Sequence, residues 1–405
     1  MEEVVVTGMG LVTSLGDDLD TFWRAIMAGQ KGYSLPAKGA AAEGKIFPLR
    51  ADIPAFAGAD HGLSGAEQGL DRAAQLGLAA AASALTDAGL EITADKSHIP
   101  VVMGTTCGAN NTIEADGFDQ SWFDGQGEEL AAETLENYEH SAIATAIARK
   151  FGLTGPASII GTACAAGNHA VGEAADLIRL GRADVVLCGG AESLSLLPIF
   201  GFHSIKGLAE EECKPFAHDR QGYVIGEGAG VMILESLSHA RARGAKIRAR
   251  MDSWSLNCDA SSFALPITDG SRCQELIEDC LAAGGLAPAD IDYVNLHGTG
   301  SKTTDLMEVN GVTAALGSQS KATPVSSIKA MTGHTMGAAG VLDNIATVLA
   351  IENNSIPPIV NLDQPEEGFD LNFITQPEHS CQVDRALSLS FAFGGCNVAT
   401  LFSAL

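Results

Sequence analysis

The chain has 405 residues, 46% of them apolar and only 5% aromatic, with 46 glycines. That length and composition can bury a large core in closely packed α/β layers, and they exclude a disordered or fibrous chain. A formal net charge of −26 offers no basic face to a phosphate backbone and argues against nucleic acid and against an anionic membrane surface.

From the N-terminus, Val4-Val5-Val6-Thr7-Gly8 reads as a buried strand rather than the basic and apolar opening of a secretory signal. The most apolar stretch that follows, Leu76–Leu85, is too short and too Ala-rich to span a bilayer. The nine cysteines include no CxxC pair, and their odd number points to reduced thiols. The expectation is a cytoplasmic chain without membrane association. Pro100–Thr105 reads as a strand, and the stretch 110–139, rich in Asp, Gly, Phe and Trp, as an insertion. Ala157–Ile160 is a strand. His169–Leu180 has helical spacing of Ala170, Ala174, Leu177 and Ile178, ended by Gly181. Val185–Cys188 is a strand buried on both faces.

The two halves echo one another. Val101-Val102-Met103-Gly104-Thr105 resembles Asn295-Leu296-His297-Gly298-Thr299, Ser158-Ile159-Ile160 resembles Ser326-Ser327-Ile328, and Val224–Gly228 resembles Ala392–Cys396. The last two echoes share one offset and the first has a longer one, which places the extra residues of the first half at 110–139. The expectation is two similar α/β units, 1–238 and 239–405, packed as one rigid body.

Three segments carry chemistry. Cys164 lies in Gly161-Thr162-Ala163-Cys164-Ala165-Ala166-Gly167, between a strand and a helix. A helix N-terminus favours thiolate over thiol, and the small neighbours let a long thioester approach the sulfur. His297 enters Gly298-Thr299-Gly300-Ser301, where two hydroxyls stand ready to hydrogen-bond a ligand's amides. His334 closes Lys329-Ala330-Met331-Thr332-Gly333-His334. A thiol with two imidazoles can hold an acyl group and act on a second thioester. Lys329, among apolar neighbours, needs an anionic partner; Glu308 is the candidate and Asp305 the alternative. Phe391–Asn397 forms a glycine-rich turn whose amides suit an oxyanion, with Phe393 as a lid. No pair of these residues has metal-ligand spacing.

Thr162-Ala163-Cys164, His297-Gly298-Thr299-Gly300 and Lys329–His334, in this order, resemble the β-ketoacyl-acyl carrier protein synthases, in particular the synthase I/II branch and the ketosynthases of type II polyketide systems. The likeness covers nearly the whole chain, through Val5–Gly10, Gly189–Glu192, Asp219–Tyr223, Gly226–Gly230 and Phe393–Gly395. It implies the thiolase-like duplicated five-layer α/β/α/β/α fold and a dimer, homodimer or heterodimer with a related chain, with 110–139 near the interface. It implies that Cys164 takes an acyl chain from an acyl carrier protein, and that His297 and His334 assist decarboxylation of malonyl-carrier protein. The Cys164 and Phe393 amides would bind the tetrahedral oxyanion, and Thr299 and Ser301 the phosphopantetheine arm. Cys107 and Phe200 would line the acyl pocket. No metal or bound cofactor is implied.

The chain departs from the family at Ser301, where Thr is usual, and at Cys396, where Thr commonly precedes Asn. Leu63–Asp71 lacks the basic residues that often precede the first long helix, leaving Lys206, Arg272 and Lys302 as docking charges. Two other readings are a partner subunit that sets chain length in a heterodimer, which the presence of Cys164 opposes, and a thiolase, for which Cys396 would be the second cysteine.

Overall fold

The computed structural model describes residues 2–34, 49–93, 97–115, 139–379 and 381–405. Ten strands organise it: β1 (Val4–Val12), β2 (Val101–Gly104), β3 (Ala157–Ile160), β4 (Val185–Glu192), β5 (Gly228–Ser236), β6 (Ala249–Cys258), β7 (Tyr293–Asn295), β8 (Pro324–Ser326), β9 (Arg385–Phe391) and β10 (Cys396–Ser403). With the short strand Asn372–Phe373 at one edge, they run Asn372–Phe373, β8, β7, β9, β10, β6, β1, β5, β4, β2, β3. β1 meets β6 through Val4–Val6 and Ala249–Met251. Outward from that junction both sides repeat one pattern. An antiparallel neighbour (β5 or β10) is followed by an antiparallel strand (β4 or β9), then by two parallel strands (β2 and β3, or β7 and β8).

Hydrogen bonding sets the register of this duplication. Gly104 pairs with Ile160 and Gly190, as Asn295 pairs with Ser326 and Ser388. Thr105 N–H then donates to the Ile160 carbonyl, and Leu296 N–H to that of Ser326. The sequence echoes of Gly104 with Gly298 and of Ser158 with Ser326 therefore lie a few residues out of register. Small residues recur at several strand ends, whereas the ladder admits one pairing. Of the expected insertion, Asn110–Ala115 is helical and 116–138 lie outside the described residues.

Helices fill the layers around the sheet. α1 (Arg72–Asp87) covers the β1–β5 side and α3 (Ser271–Gly284) the β6–β10 side. Between them α2 (Ala166–Arg179) packs on α5 (Ala339–Asn353), which is buried from Ala339 to Ile351. A helix apolar on all sides belongs in such a middle layer. Among the described residues, no helix is long and apolar enough to cross a membrane.

The middle layer is tight because its contacts are backbone on backbone. A Cβ at Gly104 would lie 2.3 Å from the Ala166 carbonyl carbon and 2.5 Å from the Gly167 nitrogen, and one at Gly190 would lie 2.6 Å from the Gly337 oxygen. Gly104→Ala should therefore push α2 off β2 and cost about 3 kcal/mol; chemical denaturation against the parent chain measures the loss.

Candidate active site

Cys164 occupies the one-turn corner Ala163–Ala165 between β3 and α2. Ala163 before it is left-handed (φ 48°), and Met336 is the matching left-handed corner (φ 47°) before α5. In the first half Ile160 leads almost directly into this corner. In the second, a longer excursion from Ser326 to Met336 carries Lys329 and His334. Cys164 is buried, and the backbone N–H groups of Cys164 itself and of Phe393 favour its thiolate. Burial, and then the Glu192 carboxylate, push the thiol up to about 12 against the pull of Lys329 and the two N–H groups. The expected thiolate bias of the helix N-terminus is thus overridden in the resting site, because the sulfur has lost its water and faces a nearby anion.

Glu192, at the end of β4, accepts from Thr106 N–H at 2.6 Å, Cys107 N–H at 3.0 Å, Gly337 N–H at 3.0 Å and the Thr105 hydroxyl at 3.2 Å. Burial raises it to about 7 despite those donors. It joins the nucleophile half to the corner of the second half.

The two imidazoles meet edge to face, with ring centroids 5.4 Å apart. Phe391 packs against His297 at 5.8 Å, and Tyr223 stacks on His334 at 5.7 Å. α4 (Lys302–Leu316) holds the His297 loop. Glu308 accepts from His297 N–H at 2.6 Å and Gly298 N–H at 2.9 Å, and Asp305 accepts from the Thr299 and Gly300 N–H groups at 3.2 Å each. His334 is threaded beside Val224–Gly226 by two backbone hydrogen bonds. Burial, then the Lys329 charge, lower both imidazoles, His334 to about 3 and His297 well below its ordinary value. Both are neutral at pH 7, and the Nδ1 of each is buried without a hydrogen-bond partner.

Lys329 Nζ donates to Asp343 Oδ2 at 2.6 Å, and the two side chains are only 1% and 2% exposed. This corrects the expected Glu308 and Asp305 pairings. Both of those carboxylates point at loop amides, whereas Asp343 reaches Lys329 from α5. The signal was an Asp343-Asn344 step inside an otherwise apolar helix.

Cys164, His297, His334, Phe391 and Phe393 line one small pocket of about 30 Å³ with Phe202 and Met307. A larger cavity of about 1080 Å³ shares Tyr223, Thr304 and Phe393 with it and is lined also by Lys206, Ser301 and Lys302. Phe393 stands at the junction. Ser301 caps α4 through the Thr304 N–H at 3.5 Å; the buried Thr299 hydroxyl has no partner.

Three expected placements differ. Phe200 is 52% exposed, and Phe202, two residues on, lines the pocket instead. Cys107 is half-buried and lines neither cavity, contributing its N–H to Glu192. Cys396 is half-buried and lies outside the pocket lining, which removes it as a second catalytic cysteine. Among the described residues, no group of three His, Cys, Asp or Glu side chains is placed to hold a metal ion.

Residues 1–240 match the family model described as Beta-ketoacyl synthase, N-terminal domain, and residues 248–363 the one described as Beta-ketoacyl synthase, C-terminal domain. The 3-oxoacyl-acyl-carrier-protein synthase 2 of Vibrio harveyi is 34% identical over 98% of this chain and 98% of its own length. The ishigamide ketosynthase/chain length factor superposes with a TM-score of 0.91 at 31% identity, covering 100% of this chain and 99% of its own. A ketosynthase solved with a type II polyketide synthase acyl-carrier protein and a hexaketide gives a TM-score of 0.90 at 29% identity, with 100% and 99% coverage.

Two outcomes follow from the charges. Asp343→Asn leaves Lys329 without its counter-ion and should cost about 3–5 kcal/mol of stability, read by chemical denaturation. Glu192 is ionised above its raised value of about 7 and there opposes the thiolate. Glu192→Gln should therefore shift Cys164 alkylation by iodoacetamide to lower pH, measured as rate against pH.

Proposed function

The chain belongs to the β-ketoacyl synthase family, and on that footing we propose that Cys164 holds an acyl chain as a thioester and condenses it with a malonyl unit brought by an acyl carrier protein. The observation that carries this reading is convergence. One sulfur, two neutral imidazoles and the N–H groups of Cys164 and Phe393 meet at a single pocket.

The acyl chain passes from the carrier's thioester to Cys164, and the carrier thiol departs. Malonyl-carrier protein then enters. His297 and His334 donate hydrogen bonds to its thioester oxygen as the carboxylate leaves as CO₂, so that the electron pair rests as an enolate. A neutral imidazole suits this task, since it stabilises the oxygen without giving up its proton outright. The enolate carbon attacks the Cys164 thioester. The Cys164 and Phe393 amides hold the tetrahedral oxyanion, which collapses to release the β-ketoacyl chain on the carrier and the Cys164 thiolate, which takes its proton back from solvent. Lys329 acts on this centre through its charge, held in place by Asp343. The chemistry is driven by loss of CO₂ and calls for no metal or bound cofactor.

The larger cavity suits the phosphopantetheine arm. Ser301 lies on the wall, whereas the buried Thr299, its hydroxyl unpartnered, lines neither cavity; Lys206 and Lys302, with Glu210 on the same wall, are the cations this acidic chain offers there to a carrier protein. Arg72, the first basic residue after Leu63–Asp71, is occupied by Glu227 at 2.7 Å. That missing charge favours type II polyketide or polyene assembly over housekeeping elongation, with docking shared by a second ketosynthase-like chain in a cytoplasmic dimer. β3 supports such a partner. It ends the sheet with Ala157 and Ser158 exposed, and no described strand pairs with its outer side.

Incubation with a panel of acyl-carrier proteins should add the acyl mass to the parent chain and none to Cys164→Ala, by intact-mass spectrometry. His297→Ala and His334→Ala should each slow condensation by about 10²–10³-fold and suppress CO₂ release while Cys164 still acylates. Undiminished CO₂ release in both variants would overturn the assignment.

A further inference from the structure

β6 ends and β10 begins on cysteines that face each other. Cys258 and Cys396 are direct partners in this antiparallel pair. One step further, Asp259 N–H donates to the Gly395 carbonyl at 2.9 Å. By the alternation of an antiparallel ladder, 258/396 is then a non-hydrogen-bonded pair, whose Cα atoms approach to about 4.5 Å and whose side chains share a face. That approach falls within the span of a disulfide. Neither thiol is sealed off, for Cys258 is exposed and Cys396 half-buried. None of the other cysteines is paired with a cysteine across the described strands.

The surroundings tie this pair to the pocket. Cys258 Sγ donates to the Gly394 carbonyl at 3.7 Å, and Cys396 follows directly on Gly395, which lines the pocket of Cys164. Between Ala392 and Cys396 the chain makes a turn closed by Ala392 N–H to the Cys396 carbonyl at 3.0 Å, with Gly394 N–H donating to Phe263 at 2.7 Å. Gly394 and Gly395 are both left-handed, at φ 82° and 77°. Glycine adopts that conformation without steric cost, and Phe393, at the junction of the two cavities, belongs to the same turn.

We propose that Cys258 and Cys396 form a reversible disulfide that pins the Phe393–Gly395 turn and so controls passage from the outer cavity to Cys164. The step is an exchange with a small disulfide such as oxidised glutathione. The exposed Cys258 thiolate attacks one sulfur and expels a glutathione thiolate. Cys396 thiolate then attacks the mixed disulfide and expels the second. The protein loses two hydrogens and one glutathione disulfide becomes two thiols. An exposed cross-strand bridge is of the easily reduced kind, and transient bridges of this kind are what a reducing compartment admits. The effect on turnover rests on the assignment of Cys164 as acyl acceptor, whereas formation of the bridge does not.

The test treats the whole enzyme with oxidised glutathione and digests it without reduction. Mass spectrometry should recover the Cys258 and Cys396 peptides joined, with two hydrogens lost. Condensation should fall by about tenfold or more and return with dithiothreitol. Cys258→Ser should give no joined peptide and keep its turnover under the same treatment, which separates this pair from oxidation at Cys164. A glutathione adduct on Cys258 without the bridge, or a bridged enzyme that turns over at the reduced rate, would overturn the proposal. Failure of the acyl-acceptor assignment would show itself differently, as an enzyme that takes no acyl mass whether bridged or not.

Discussion

A single buried cation organises the centre of this protein. Lys329 is sealed from water and held by Asp343, and its field reaches Cys164, His297 and His334 together. At the sulfur it favours the anion; at both rings it opposes the cation. One charge therefore moves three groups in the direction that acyl transfer needs. A buried ammonium is costly unless it is paired and hydrogen-bonded, and Asp343 meets that need from the buried helix α5. Burial, and then Glu192, outweigh it at the sulfur and raise the thiol.

That arrangement depends on how closely the two halves approach. The Cys164 corner and the Met336 corner are equivalent bends in a repeated pattern, and backbone contact at Gly104, Gly167, Gly190 and Gly337 locks them together. Gly337 N–H ends on Glu192, so an acid of the first half holds the corner of the second. The longer excursion before Met336 is where the repeat is broken, and it delivers Lys329 and His334 to a sulfur belonging to the other half.

Much of the site was legible because its members sit in glycine-rich turns with recognisable neighbours. Cys164, His297, His334 and Phe393 could be named from such segments, and the layered duplication from the alternation of strands and helices. What escaped were choices made through space. Glu308 and Asp305 were the two acids weighed for Lys329 along the chain, and only the fold brings Asp343 of α5 to it. Phe200 and Phe202 lie on Leu196–Ser204, a segment apolar on nearly every side, so no periodicity told which ring turns inward. The raised thiol is not legible, because a helix terminus is visible in sequence, whereas loss of water around a sulfur is not. The echoes were real in kind and displaced in register, since ladders are fixed by hydrogen bonds and not by residue likeness.

The open flank at Ala157–Ile160 has a practical corollary. Among the described residues no strand meets its outer amides and carbonyls, and an edge of that kind is a template for β-stacking by another extended polypeptide. If the proposed second chain covers that edge, the yield of soluble material in a heterologous host should follow the supply of that chain during synthesis, more than the melting point of the finished fold.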